Sequence, residues 1–227
     1  MNRQPLIVAI DGPSGVGKST TSRLVARALN IPHIDTGAMY RAIGLAALRS
    51  GTNTRDEAAL ERLASRVRID FIPGEVGRVL LDGEDITGLI RTPEVSMAAS
   101  DVSAVPAVRR ILVRLQQELG RRTGGVLEGR DIGTKVFPET RHKFFLTARP
   151  EVRARRRYEE LLAKGQPAVY ESVLANSLLR DAQDTTRADS PLRFDETYQV
   201  IDTSDLSIGD VVARIVRGVR ETMKDEG

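Results

Sequence analysis

The chain of 227 residues contains no cysteine. Disulfides, thiolate catalysis and cysteine-ligated zinc are therefore excluded. Histidine is nearly absent: His33 and His142 are the only two, and a histidine metal site between positions so far apart is not expected. Aromatic residues make up 4% and are not interleaved with a basic stripe, which argues against nucleic-acid binding. No run approaches the ~20 apolar residues of a membrane span. The N-terminal MNRQPLIVAI lacks the layout of a signal peptide, its apolar stretch being only strand-length. A soluble cytoplasmic protein without a membrane or nucleic-acid partner is expected. Lysine is scarce as well. Lys18, Lys135, Lys143, Lys164 and Lys224 are the only five, so 29 of the 34 cationic residues are arginine. Arginine is the planar, bidentate binder of phosphate and carboxylate.

What is present is enough for one sizeable domain. Hydrophobic residues are 41%, charged residues 29%, and the net charge is +3. LIVAI (6–10) is a continuous apolar run that ends at Asp11-Gly12, as a buried parallel strand does on entering a turn. Helical periodicity follows over 18–29. PHIDTG reads as a short strand and turn before a helix over 38–49. VLEGRD, HKFFLT and TYQVIDTS read as further strands, and 207–223 as a closing helix. Strands alternating with helices predict an α/β fold of three layers around a central parallel sheet. Residues 67–88 instead alternate with period two between glycine-rich turns, which predicts a small antiparallel meander inserted at about 63–100 with flanking helices.

GPSGVGKST (12–20) matches GxxxxGK[ST] in full, after a predicted strand and opening a predicted helix. Glycines 12, 15 and 17 let the backbone curl close to phosphate oxygens. The loop from Gly12 through Pro13, Ser14, Gly15, Val16 and Gly17 to Thr20 would cradle a triphosphate, with Lys18 on the β- and γ-phosphates and Ser19 on Mg²⁺. ATP is the expected donor. A switch GTPase needs a base-reading NKxD, which is missing, and DITG (85–88) falls in the predicted meander. A compact P-loop kinase acting on a small acceptor remains.

Three features point to an anionic acceptor. In DTGAMYR (35–41), Thr36 can cap the helix or touch substrate, and Arg41 stands at a helix start where a cation is misplaced unless an anion is near. Arg130 and Asp131 in EGRDIGT follow a predicted core strand, where ligands of parallel sheets gather. Arg109 opens a helix over 107–120. A kinase must also exclude water, so a closing lid is expected at about 150–190. There Arg153, Arg155, Arg156 and Arg157 crowd one helix. Two or more of them, Arg153 and Arg157 first, would reach ATP, the alternative being a charged face paired with Glu151, Glu159 and Glu160. Further on, Arg180, Asp184 and Arg187 fall four and three apart on one helix face, while Asp181 and Asp189 read as solvent charges.

With IDGPSGVGKST, DTGAMYRA, GEDITGLIRTPEVSMAAS, VPAVRRILVRLQ, GRDIGTKVFP and RDAQDTTRADSPL, the chain resembles the bacterial cytidylate kinases from end to end. The resemblance implies a single kinase domain over 1–227, and CMP or dCMP as acceptor. It places monophosphate-binding arginines at Arg41, Arg109, Arg130 and Arg187, and cytosine and sugar contacts at Thr36, Ser100, Arg180, Asp184 and Asp131. Lys18, Arg130, Asp131 and Arg187 would act on the transferred phosphoryl group, with Mg²⁺ and a monomeric enzyme. The alternatives are a kinase of another monophosphate such as UMP, and a noncatalytic ATP-binding regulator.

Overall fold

The computed structural model describes residues 5–72, 77–187 and 189–224. The PGEV turn of the predicted meander and Ala188 of the charged arm lie outside them. Eight strands and eight α-helices lie among the described residues, in the order β1 (Ile7–Asp11), α1 (Lys18–Leu29), β2 (His33–Asp35), α2 (Thr36–Ser50), α3 (Glu57–Arg66), β3 (Ile69–Ile72), β4 (Arg78–Leu81), β5 (Glu84–Asp85), α4 (Pro93–Ala104), α5 (Pro106–Thr123), β6 (Gly125–Gly129), β7 (His142–Thr147), α6 (Pro150–Ala163), α7 (Tyr170–Thr186), β8 (Gln199–Asp202) and α8 (Ile208–Lys224). The main sheet runs β2-β6-β1-β7-β8, and a second sheet runs β3-β4-β5. This is the expected α/β class with an antiparallel insertion. The chain forms two compact units, one of Met1–Leu6 and Ile31–Leu127, the other of Ile7–Asn30 and Glu128–Gly227.

In the second unit β1 pairs in parallel with β7, and β7 with β8; Ile10 stands opposite Phe144 and Phe145 opposite Val200. The alternation of β7 sorts its side chains by face. Phe144 meets α8, where a Cβ on Gly218 would come 3.2 Å from its ring. Phe145 clusters instead with Leu192 and Tyr198. Helix α8 buries the stripe Val211, Ile215, Gly218 and Val219. Helix α1 ends at Asn30 in the left-handed conformation, its N–H bonded to the carbonyls of Ala26 and Arg27.

In the first unit β3, β4 and β5 form the meander, with Ile69 opposite Leu81 and Leu81 opposite Glu84. Val79 and Leu81 are buried while Arg78 is exposed, the period-two pattern of a half-buried sheet. Asp56 caps α3, accepting from Ala59 N–H at 2.9 Å. Helices α2 and α4 pack so closely that a Cβ on Gly44 would come 3.0 Å from the Ala99 nitrogen.

A five-residue π-helical turn over Ile132–Val136, directly after β6, has no counterpart in the sequence reading. Its Val136 N–H reaches back five residues to the Asp131 carbonyl.

Candidate functional site

The phosphate loop joins β1 to α1 in the second unit. Gly12 has φ +148°, and a Cβ there would sit 2.1 Å from the Leu146 carbonyl oxygen, so glycine is required. The Lys18 ammonium donates to the Gly12 and Pro13 carbonyls at 2.7 and 2.6 Å. Arg153 donates to the Ser14 carbonyl at 3.1 Å, and the Thr203 hydroxyl to that of Val16 at 3.1 Å. Four carbonyls of the loop are thus held by cations and a hydroxyl of the same unit. Lys18 is buried, and burial lowers its pKa from 10.5 to about 7; the charge of Arg130 pushes the same way, while Glu128, Asp184 and Asp11 push back.

Those neighbours are the rest of the site. The Ser19 hydroxyl donates to the Glu128 carboxylate at 2.8 Å. Arg130 Nε donates to Asp184 at 2.7 Å and Nη1 to the Gly129 carbonyl at 3.3 Å. Asp184 also lies 3.6 Å from Arg187 Nη1. Burial works against its charge, but Arg130, Arg187 and Lys18 hold its carboxyl below the usual range. Burial lowers the Arg180 pKa, and the positive charges of Arg157 and Arg130 lower it further, with only Asp184 opposing. Cations crowded in this way are relieved by an anion.

The arginine run of α6 is divided. Arg153 is buried: it donates to the Ala148 carbonyl at 3.0 Å and grips Asp181 with both ends of its fork, at 3.1 and 2.5 Å. Arg155 stacks 4.6 Å from the Tyr170 ring centroid, Arg156 donates to the Thr203 carbonyl at 2.6 Å, and Arg157 pairs with Glu160 at 2.8 Å. Asp181 is therefore not a solvent charge, because α7 packs on α6 and turns it onto Arg153. The Asp184 oxygens face Arg130 and Arg187.

The first unit carries Thr36, Arg41, Ser100 and Arg109. Asp35, not Thr36, caps α2: its backbone is extended and its carboxylate accepts from Ala38 N–H at 3.1 Å. Thr36 is the first helical residue and is buried. The other Asp35 oxygen pairs with Arg41 at 2.5 Å, and Arg41 and His33 hold this carboxyl below its usual range despite burial. The anion that Arg41 called for at a helix start is this residue. Arg109 is 2% exposed, lies 5.5 Å over the Tyr40 ring and donates to the Ser103 carbonyl at 3.2 Å. Ser100 stands on α4 and is half-buried. These four belong to one unit, and the loop, Arg130, Asp131, Arg153, Arg157, Arg180, Asp184 and Arg187 to the other.

Sequence reasoning gave no role to Asp11, Glu128 and Tyr198, and read Asp181 as a solvent charge. A signal existed for two of them: Asp11 and Glu128 are the acidic residues inside the apolar runs IVAID and GVLEG, both fully buried strands at their ends. Among the described residues no cluster of three or more His, Cys, Asp or Glu could hold a metal alone. Ser19 and Glu128 instead form a hydroxyl–carboxylate pair of hard oxygen donors, which fits Mg²⁺ completing its shell with phosphates and water. No helix among the described residues is long and apolar enough to cross a membrane.

The family model described as cytidylate kinase matches residues 8–221. The cytidylate kinase of Syntrophotalea carbinolica is 49% identical over 222 residues, 97% of this chain and 94% of that protein. That of Carboxydothermus hydrogenoformans is 48% identical over 210 residues, 92% and 95% of the two. A solved structure of an uncharacterized protein from Eubacterium ventriosum has the same fold, with a TM-score of 0.54 at 11% identity and coverage of 96% of this chain and 99% of that one.

Proposed function

Because the chain belongs to the cytidylate kinase family, we propose that it transfers the γ-phosphoryl group of ATP to CMP or dCMP, giving ADP and CDP or dCDP. The observation that carries this reading is the Lys18 ammonium, buried in the phosphate loop beside the like charge of Arg130. A triphosphate relieves that repulsion and releases Lys18 from the Gly12 and Pro13 carbonyls.

The nucleophile is a phosphate oxygen of the acceptor. A phosphate monoester has its second pKa near ~6, so it is already a dianion at neutral pH and no general base is required. What the protein must supply is position and positive charge. Lys18 and the loop from Gly12 to Thr20 take the donor phosphates. Arg130 and Arg187 face the transferred group, with Asp184 fixing their forks and Asp131 beside them. Arg41 and Arg109 take the acceptor phosphate; Thr36, Ser100, Arg180 and Asp184 take the sugar and cytosine. Ser19 and Glu128 would hold Mg²⁺, which when bound neutralises charge on the β- and γ-phosphates. Residues 150–190 act as a lid that keeps water from the reaction, bringing Arg153 and Arg157 toward ATP, and 63–100 are the acceptor-side insertion of one kinase domain. A monomer in the cytoplasm suits a cysteine-free chain whose substrates are free nucleotides.

An ADP-release assay over a panel of nucleoside monophosphates tests the reading. CMP and dCMP should be turned over at least tenfold better than UMP, AMP and GMP. Poor turnover of both cytidine nucleotides sinks it.

A further inference from the structure

Asp11 is a carboxylate at 0% exposure that the chemistry above does not use. It ends β1, immediately before the phosphate loop. One oxygen accepts from Ile132 N–H at 2.9 Å; the other accepts from Gly133 N–H at 2.9 Å and from the Tyr198 hydroxyl at 2.8 Å. The two N–H groups are the first of the π-helical turn after β6, where a turn has donors without partners of its own. Arg130 and Asp131 are the two residues before that turn. Tyr198 is packed to fit: a Cβ on Gly133 would come 2.5 Å from its hydroxyl oxygen, the Lys143 ammonium lies 5.8 Å from its ring centroid, and Lys143 is itself held by Thr197 at 3.1 Å.

We infer that Asp11 is a positioning residue for phosphoryl transfer: clamped by Tyr198, its carboxylate pins the Ile132–Gly133 backbone and so sets where Arg130 and Asp131 stand relative to the phosphate loop that begins one residue later. Burial, opposed by the three hydrogen bonds and helped by the charge of Asp131, leaves the Asp11 pKa raised to about 6. The charge is therefore held at a cost to folding, as groups kept for function often are. The titratable groups that face it are the neutral Tyr198 hydroxyl and the charges of Asp131, Lys18 and Arg130. The inference rests on the proposed role of Arg130 at the transferred phosphate.

Asp11→Asn keeps the volume but turns an NH₂ group toward one of the donors it now satisfies. In the full chain this should lower kcat with CMP by about 10- to 100-fold, with the dissociation constant of ATP changed less than about threefold, since the loop's own contacts remain. Amide hydrogen exchange over 130–136 should speed up in the same variant. Tyr198→Phe keeps the carboxylate and both backbone bonds but removes the hydrogen bond that favours ionisation. The acid-side loss of kcat should therefore begin at a higher pH than in the unmodified chain; taking the ratio of the two profiles cancels the protonation of CMP itself. An Asp11→Asn protein with kcat within about threefold of the unmodified chain, unchanged exchange over 130–136, or a flat Tyr198→Phe ratio would each overturn the inference. If the unmodified chain shows no CMP turnover, the functional reading falls, and the exchange measurement still decides whether Asp11 anchors the turn.

Discussion

Two strand-to-helix corners of the molecule use the same residue types in opposite ways. After β2, Asp35 caps α2 through Ala38 and pairs with Arg41 six residues on. The cap and the ion pair of that corner lie within seven consecutive residues. After β6, Arg130 and Asp131 stand at the start of a turn whose main anchors lie far away in the chain. The turn's first N–H groups go to Asp11, 121 and 122 residues away, and Arg130 pairs with Asp184, 54 residues away. The first corner takes its cap and its ion pair from its own stretch of chain. The second exists only when β1, β6, α7 and the segment before β8 are all in place. Geometry at the second corner is therefore fixed by the whole of its unit, which suits a place where charge must be positioned for chemistry.

Removing one cation from each corner gives the largest predicted contrast. Arg130→Ala should lower kcat/KM for CMP by ~10³-fold and also lower Tm, because Asp184 is left partly buried without its nearest partner. Arg130→Lys should recover little, since a single ammonium cannot reproduce the fork. Arg41→Ala should lower kcat/KM by about 10- to 100-fold, mostly through KM, with Asp35 still capping its helix. Equal losses in both parameters at the two corners would break the comparison.

The carboxylates sharpen it. Asn is nearly as good a helix cap as Asp, so Asp35→Asn should lower Tm only through the lost charge facing Arg41, and Asp35→Ala should cost about 1 kcal/mol beyond that, read by denaturant melting. Asp184→Asn has no such local rescue. It removes the charge facing Arg130, Arg187 and Lys18 and should lower kcat with CMP by about tenfold. ATP affinity should fall less; equal loss of both would place Asp184 on the donor side instead.

The same contrast explains what could be read from the chain alone. The phosphate loop was legible because its chemistry is contained in nine consecutive residues, and the alternation over 67–88 was legible because strand period is local. The cap of α2 was nearly legible: Asp35 and Thr36 are both capping types, and only the backbone, extended at Asp35 and helical from Thr36, decides between them. The partners of Asp11, Glu128, Arg153 and Arg130 were not legible, since each depends on strand order or on α7 folding back on α6. Asp181 shows this best. One turn from Asp184 on the same helix, it read as a solvent charge, yet it closes both ends of the Arg153 fork.

Titration reaches the second corner without a mutation. Free Lys18 has its pKa lowered to about 7 by burial and Arg130, whereas beside bound phosphates it must be charged. Below pH 7 the free protein already carries the proton; above it, the proton has to be taken up on binding. ATP affinity should therefore weaken by about 10- to 20-fold between pH 7 and about pH 8.5. Calorimetry at pH 8 in two buffers of different ionisation enthalpy should show uptake approaching one proton per ATP. Affinity flat with pH and heats independent of buffer would mean that Lys18 is charged throughout.

The smallest effect separates reach from burial, which the two corners confound. Arg49 and Glu84 form a bidentate pair across 35 residues at 2.6 and 2.8 Å, the same fork-to-fork geometry as Arg153 with Asp181. Both members are exposed, at 42% and 52%, against 4% and 22% for the Arg153 pair. Water already solvates the Arg49 pair in the open chain, so forming it gains little. Arg49→Ala should move Tm by no more than about 1 °C, whereas Arg153→Ala leaves Asp181 facing an empty, half-dry cavity and should lower Tm by several degrees. A large shift for Arg49→Ala would mean that long-range pairing itself holds this fold together. A null result, with Arg153→Ala destabilising, would show that the second corner depends on its distant partners because they are dry.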